Sequence, residues 1–119
     1  MGTHNDFGKL GEELAAKFLS KNGYVILHRN FRYLKAEIDI IARKGGVLAI
    51  VEVKSRSSEF IQEIASTVNQ KKIGLLALAA DHYVNEHHLD IEVRFDIITI
   101  VKNNSSYQVN HLEDAFFHF

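Results

Sequence analysis

Two short β-prone runs, 37–42 and 47–53, are joined by Arg43-Lys44-Gly45-Gly46, and this arrangement restricts the fold more than any other feature of the chain. Glycine-rich turn chemistry between such runs predicts an antiparallel hairpin. Yet the runs carry charges that strand interiors normally exclude. Glu37 and Asp39 interrupt the first, and Glu52 and Lys54 interrupt the stretch around Ile50, Val51 and Val53. Because side chains alternate along a strand, Glu37 and Asp39 are expected on one face, with Ile38, Ile40 and Ala42 on the other. Glu52 and Lys54 are expected beside Leu48 and Ile50, opposite Val47, Ala49, Val51 and Val53. Pairing around Lys44-Gly45 sets Asp39 roughly opposite Leu48 to Ile50 and Glu52 near Glu37, and a slip of one residue would exchange the faces. The four polar residues then form either a carboxylate cluster with a lysine beside it or solvated and salt-bridged charges on an edge hairpin.

The remaining chain supplies helices and strands to surround this hairpin. Leu10, Leu14 and Phe18, widened by Ala15, Ala16 and Leu19, predict a helix over 7–22 that stops at Asn22-Gly23. Tyr24 to Leu27 reads as a strand. Helical spacing returns from Asn69 to Glu86 through Ile73, Leu76, Ala77, Ala80, Tyr83 and Val84, a stripe that reads as core. Ile91 to Val101 and Tyr107 to Leu112 predict two more strands around a turn at 102–106. The tail from Glu113 to Phe119 reads as a short helix or capping segment. The order α-β-β-β-α-β-β describes a mixed α/β domain, and no proline, linker or repeat divides residues 1–119.

Composition narrows the chemistry. With 119 residues, 46% of them hydrophobic, the chain can fill one core, no apolar run approaches the length of a membrane span, and Met1 to Asp6 has no basic region followed by an apolar stretch like a signal peptide. A soluble, cytoplasmic protein is the expectation. Without cysteine there is no thiolate metal site and no thiol nucleophile, so any metal must sit on oxygen or imidazole. The net charge of −1 conceals an asymmetry: residues 1–80 hold 12 Lys and Arg against 8 Asp and Glu, whereas residues 81–119 hold 2 against 7. A basic surface on the first part is therefore available to a nucleic acid.

Mg²⁺ and Mn²⁺ prefer hard oxygen ligands and keep several waters, so Asp39 and Glu52 with a backbone carbonyl would satisfy either. Lys54, two residues beyond Glu52 on the same face, could stabilise charge on a phosphate or help deprotonate a water. Glu12 borders the buried stripe of its helix, since Ala15, Ala16 and Leu19 follow at helical spacing, although an early acid also suits the helix dipole. Arg29, Arg32, Lys35, Arg43, Lys44, Arg56, Lys71 and Lys72 cluster around these motifs, with Phe31 and Tyr33 interleaved, and each is either a phosphate contact or a solvated charge. Arg94 and Asp96 read as a structural ion pair across neighbouring strands. His87, His88 and His111 lack metal-ligand spacing and read as surface or packing residues.

The strings Glu37-Ile38-Asp39-Ile40-Ile41-Ala42 and Ile50-Val51-Glu52-Val53-Lys54-Ser55-Arg56 resemble the Asp…Glu-x-Lys core of PD-(D/E)xK, restriction-endonuclease-like nucleases. More closely, the chain resembles the YraN-like bacterial family of predicted endonucleases related to archaeal Holliday-junction resolvases. The likeness runs through Gly11-Glu12, Gly23-Tyr24, Arg29-Asn30, the two central strands, Lys72, Ala79-Ala80, Arg94-Phe95-Asp96, His111 and Ala115-Phe116. It implies a three-layer α/β/α fold around a mixed sheet. It also implies a divalent-metal-dependent DNA endonuclease in which Asp39 and Glu52 hold Mg²⁺ or Mn²⁺, Lys54 is the catalytic lysine and Glu12 is an additional acid. Glu37 would support the site from behind or position a basic residue. Arg29, Arg32, Lys35, Arg56 and Lys72 would contact DNA, branched DNA among the candidate substrates, and junction cleavage would favour a homodimer. Ala36 stands where glycine is common in the family, and 57–70 lacks its usual Gly and Pro. Two other readings compete: a nuclease-like module that binds nucleic acid without cutting it, and an assembly protein whose Phe116, Phe117 and Phe119 form a contact between copies.

Overall fold

The computed structural model describes residues 3–57 and 70–116. The order is α1 (Thr3–Lys21), β1 (Val25–Tyr33), β2 (Ala36–Lys44), β3 (Val47–Ser57), α2 (Gln70–Glu86), β4 (Glu92–Asn103) and β5 (Ser106–Leu112). This is the predicted α-β-β-β-α-β-β sequence of elements, with β1 extending well beyond Leu27. The strands form one sheet in the order β1-β2-β3-β4-β5. β3 and β4 run parallel, as the helical crossover between them permits, and the other pairs are antiparallel.

Each helix buries its apolar stripe on a different face of the sheet. On the α1 side, Ala15 and Leu19 pack with Tyr24, Ile40, Ala42, Ala49, Val51, Ile98 and Ile100. On the α2 side, Leu76, Ala79, Ala80 and Tyr83 pack with Ile38, Ile41, Leu48, Ile50, Phe95 and Ile97. The result is a three-layer α/β/α arrangement around a mixed sheet. No helix among the described residues is long and apolar enough to cross a membrane.

Local signals set the element ends. Gly23, at φ +90°, closes α1 in a Schellman motif, with the Tyr24 amide donating to Leu19 and the Gly23 amide to Ser20. His88, at φ +53°, closes α2 in the same way, its amide donating to Asn85 while that of Leu89 donates to Val84. Gly45, at φ +57°, takes the first central position of the two-residue β2–β3 turn, where tight hairpins require positive φ. The tail forms no helix through Phe116. Instead Phe116 is buried against Phe95, with ring centroids 6.2 Å apart. Phe117, Phe119 and 58–69, most of the loop after the lysine strand, lie outside the described residues.

The hairpin departs from expectation in two ways. Lys44 pairs with Val47 and Ile40 with Val51, which sets Asp39 level with Glu52 rather than with Leu48 to Ile50. The faces also change within β2: Ile38 joins the α2-side core, whereas Ile40 and Ala42 join the α1-side core. The change falls where β1 holds Asn30 at φ +56°, between the pairs Arg29↔Ile40 and Phe31↔Ile38. A left-handed residue breaks the two-residue alternation of its own strand and of the strand paired with it.

Asp96 is fully buried on the α1 side of β4 and has a complete set of partners. Arg94 donates from Nε to Oδ1 at 2.9 Å and from Nη2 to Oδ2 at 2.7 Å, His111 Nε2 lies 2.8 Å from Oδ2, and the Asp114 amide donates to Oδ1 at 3.0 Å. The Arg94–Asp96 pair thus lies within one strand, not across two as expected, and His111 is part of a buried network. Although burial alone would raise its pKa, the contacts with His111, Arg94 and the Asp114 amide hold the Asp96 carboxyl below the usual carboxylate range. Asp96→Ala strands Arg94 without its partner. It is expected to cost about 3–5 kcal/mol in urea unfolding at neutral pH, the usual penalty for breaking a buried ion pair.

Candidate active site

β2 and β3 stop pairing after Ile40↔Val51, and the polar residues collect where they part. Asp39 Oδ2 accepts the Val53 amide at 2.8 Å, so a carboxylate takes a backbone donor in the widening gap between the strands. One rung along, Glu52 follows Leu48 and Ile50 onto the α2 side and is only 6% exposed. Its Oε2 lies 3.2 Å from Lys54 Nζ and is also ion-paired with Lys72, which reaches in from the first turn of α2.

Asp39 and Glu52 line hollows on both sides of the sheet. The α2-side hollow, about 340 Å³, is completed by Lys35, Glu37, Lys71, Lys72 and Leu75. The α1-side hollow, about 400 Å³, is completed by Phe7, Gly8, Glu12, Ser55 and Arg56. Glu12 therefore reaches the carboxylates from the opposite side to Lys72. Gly11 permits this approach, because a Cβ there would overlap Ser55 Oγ and sit 3.3 Å from Ser55 Cβ on β3. The buried stripe of α1 signals that Glu12 faces inward, but only the packed structure reveals the dependence on Gly11.

Asp39, Glu12 and Lys54 are all pushed towards their neutral forms, and Lys72 towards its charged one. Burial, reinforced by the charges of Glu52 and Glu12, raises the Asp39 pKa to about 7 despite the Val53 amide. Burial likewise raises Glu12. Lys54 is lowered by burial and by the charge of Lys72. Lys72 is raised, because its hydrogen bond and ion pair with Glu52 outweigh the effect of burial. Perturbed acids and bases gathered in a cleft are characteristic of functional sites.

The basic residues take different places. Lys35 and Lys72 line the α2-side hollow, and Lys72 is ion-paired there with the buried Glu52. Arg56 lines the α1-side hollow and donates to the Ser55 carbonyl at 2.9 Å. Arg29 is engaged by Glu13 at 3.0 Å and Glu12 at 3.9 Å. Arg32, largely exposed, is 3.5 Å from Glu37, which faces the α2-side hollow with Asp39.

A divalent cation of the Mg²⁺ or Mn²⁺ class fits this donor set. Such ions take one or two carboxylates and complete their shell with water and phosphate oxygens, and Asp39 and Glu52 offer two hard carboxylates between open hollows. Among the described residues no group of three or more His, Cys, Asp or Glu is placed to hold a metal ion.

A model of an uncharacterised protein family, UPF0102, matches residues 11–100, from the glycine beside Glu12 to Ile100 in the last third of β4. The chain belongs to the UPF0102 family. Members from Flavobacterium psychrophilum and Christiangramia forsetii are 50% and 49% identical to it over 119 residues, covering all of either chain. A member from Bacteroides thetaiotaomicron is 41% identical over 117 residues, covering 98% of this chain and 97% of its own. This is the YraN-like family that the motifs resemble, and these relatives' names state no activity.

The site generates two expectations. Because folding lifts the Asp39 pKa from 3.8 to about 7, its contribution to stability is fully present below pH 4, declines as pH rises, and is lost above about 7. Asp39→Asn retains an acceptor for Val53 and does not titrate. In EDTA it should therefore melt higher than the wild type at pH 7.5, by an increment that shrinks towards pH 4.5, as followed by circular dichroism. Gly11→Ala is expected to destabilise by about 1–3 kcal/mol through overpacking against Ser55. In a urea double-mutant cycle, Ser55→Gly should recover about 1 kcal/mol of that loss.

Proposed function

We propose that this chain is a divalent-metal-dependent endodeoxyribonuclease of the restriction-endonuclease-like superfamily, using Mg²⁺ or Mn²⁺ and hydrolysing phosphodiester bonds in DNA. The observation that carries the proposal is the convergence of Asp39, Glu52 and Lys54 at the point where β2 leaves β3, with hollows on both sides. Buried, mutually repelling carboxylates cost stability, and a sheet built for stability alone would fill these positions with apolar side chains.

In this reading Asp39 and Glu52 hold the cation, which activates water and neutralises charge on the phosphate when bound. Lys54, lowered by burial and held at 3.2 Å from Glu52, orients the attacking water or stabilises the charge that develops on the scissile phosphate. Glu12 meets the same carboxylates across the α1-side hollow and orients water there. Lys35 and Lys71, at the mouth of the α2-side hollow, take the neighbouring phosphates. Branched DNA is the candidate substrate by the likeness to junction resolvases, and a homodimer would supply two such sites.

One observation favours a second reading, a nucleic-acid-binding module of the same fold. Glu52 already holds Lys54 and Lys72, so the cluster carries cations of its own and could receive a phosphate without a metal. Cleavage of end-labelled single-stranded, duplex, flap and four-way-junction DNA in Mg²⁺, Mn²⁺ or EDTA separates the two. The nuclease reading expects metal-dependent products that fall by about 10²–10⁴-fold in Asp39→Ala and Lys54→Ala. A folded wild type that binds DNA in EDTA and cuts none of these substrates would favour the binding module.

A further inference from the structure

Among the described residues, five other than glycine have positive φ: Asn30, Leu34, His88, Asn104 and Asp114. Asn, Asp and His are the types that tolerate this conformation, and Leu34, at φ +55°, is not one of them. Leu34 is also 75% exposed, more than any other large hydrophobic side chain described. Glycine or asparagine at this turn would remove both the strain and the apolar exposure, so folding alone gives no reason for a leucine.

Its position supplies one. Leu34 and Lys35 form the tip of the β1–β2 hairpin, closed by the pair Tyr33↔Ala36. This tip lies at the end of the sheet that holds the carboxylates, and Lys35 lines the hollow shared by Asp39 and Glu52. The hairpin is braced from below: Tyr33 stacks on His82 of α2 with centroids 3.9 Å apart, and Phe31 meets Tyr83 edge-on at 5.2 Å. The hollow beside the tip sets Lys35, Lys71 and Lys72 against Glu37, Asp39 and Glu52, with Glu37 paired to Arg32 at 3.5 Å and Glu52 to Lys72.

We propose that Leu34 is a wedge: it enters a base step of DNA held at the carboxylate site, while Lys35 and Lys71 hold the flanking phosphates. Apolar side chains on stiff supports open base steps in this way, and the energy needed is least where stacking is already weak. The substrate class is therefore DNA with a weakly stacked step beside the cut. This inference rests on the nucleic-acid reading of the site.

The test is binding in EDTA, which is independent of cleavage, with two duplexes carrying 2-aminopurine at a central step that is fully paired in one and mismatched in the other. Leu34→Asn and Leu34→Gly suit the left-handed turn, so their melting temperatures should equal or exceed that of the wild type. The wild type is expected to prefer the mismatched duplex on the order of tenfold and to brighten its 2-aminopurine. The variants should bind the paired duplex as the wild type does and lose both the preference and the brightening. Variants that keep both would overturn the wedge and leave the nucleic-acid site standing. A wild type that binds neither duplex, in EDTA or with Mg²⁺ present, would remove both proposals. If instead the variants lower the mass seen by light scattering and bind DNA unchanged, Leu34 belongs to a contact with a second copy and the wedge fails.

Discussion

The Val53 amide donates to a carboxylate in its own sheet, and the geometry of the site depends on that bond. Where β2 leaves β3 after Ile40↔Val51, the edge of β3 that faced β2 loses its ladder. A buried amide without an acceptor would cost more than an ordinary hydrogen bond contributes, so some group must satisfy it. Asp39 does so with a side chain and thereby keeps a carboxylate inside the sheet. The other edge of β3 stays paired with β4 from Val47↔Glu92 to Ser57↔Lys102. One edge is open for chemistry while the other holds Glu52 and Lys54 in place.

Two buried acids in this small fold show how environment shifts the same carboxyl group in opposite directions. Asp96 is enclosed by Arg94, His111 and a backbone amide, and these partners hold its pKa down. Asp39 has one amide and two acidic neighbours, and its pKa rises to about 7. Asp96 is ion-paired with Arg94, whereas Asp39 opens onto hollows on both sides of the sheet. The cost of burying Asp39 is offset by the two apolar cores. Fully buried isoleucines such as Ile38, Ile40 and Ile41 each contribute about 1.5–3 kcal/mol.

Much of this was legible in the sequence because periodicity reports burial directly. The apolar stripes gave both helices, Gly45-Gly46 gave the hairpin, and Leu48 and Ile50 correctly set the faces of Glu52 and Lys54. What failed has several causes. Asn30 at φ +56° interrupts alternation in two strands at once, so Ile38 and Ile40 part company, and no two-residue rule anticipates that. Register around the turn was misjudged for a related reason: turn type, not composition, fixes which residues pair. The position of Lys72 was hidden because it depends on how α2 crosses back over the sheet, a long-range fact. His88 carried a local signal that a histidine seldom sends, a left-handed helix cap.

Lys72 also bears on how a polyanion could approach. The chain as a whole carries a charge of −1, so long-range attraction for a nucleic acid is weak, and at physiological salt fields fade within about 8 Å. Recognition must therefore come from cations within contact distance. Around the α2-side hollow, Lys35, Lys71 and Lys72 face Glu37, Asp39 and Glu52, a near balance that gives an approaching phosphate little net attraction. A divalent cation on Asp39 and Glu52 would reverse that balance, because it neutralises the acids and frees the lysines to act on phosphate. On the nuclease reading, metal and substrate should then reinforce each other's binding, a coupling that arises from charge alone and requires no movement of the sheet.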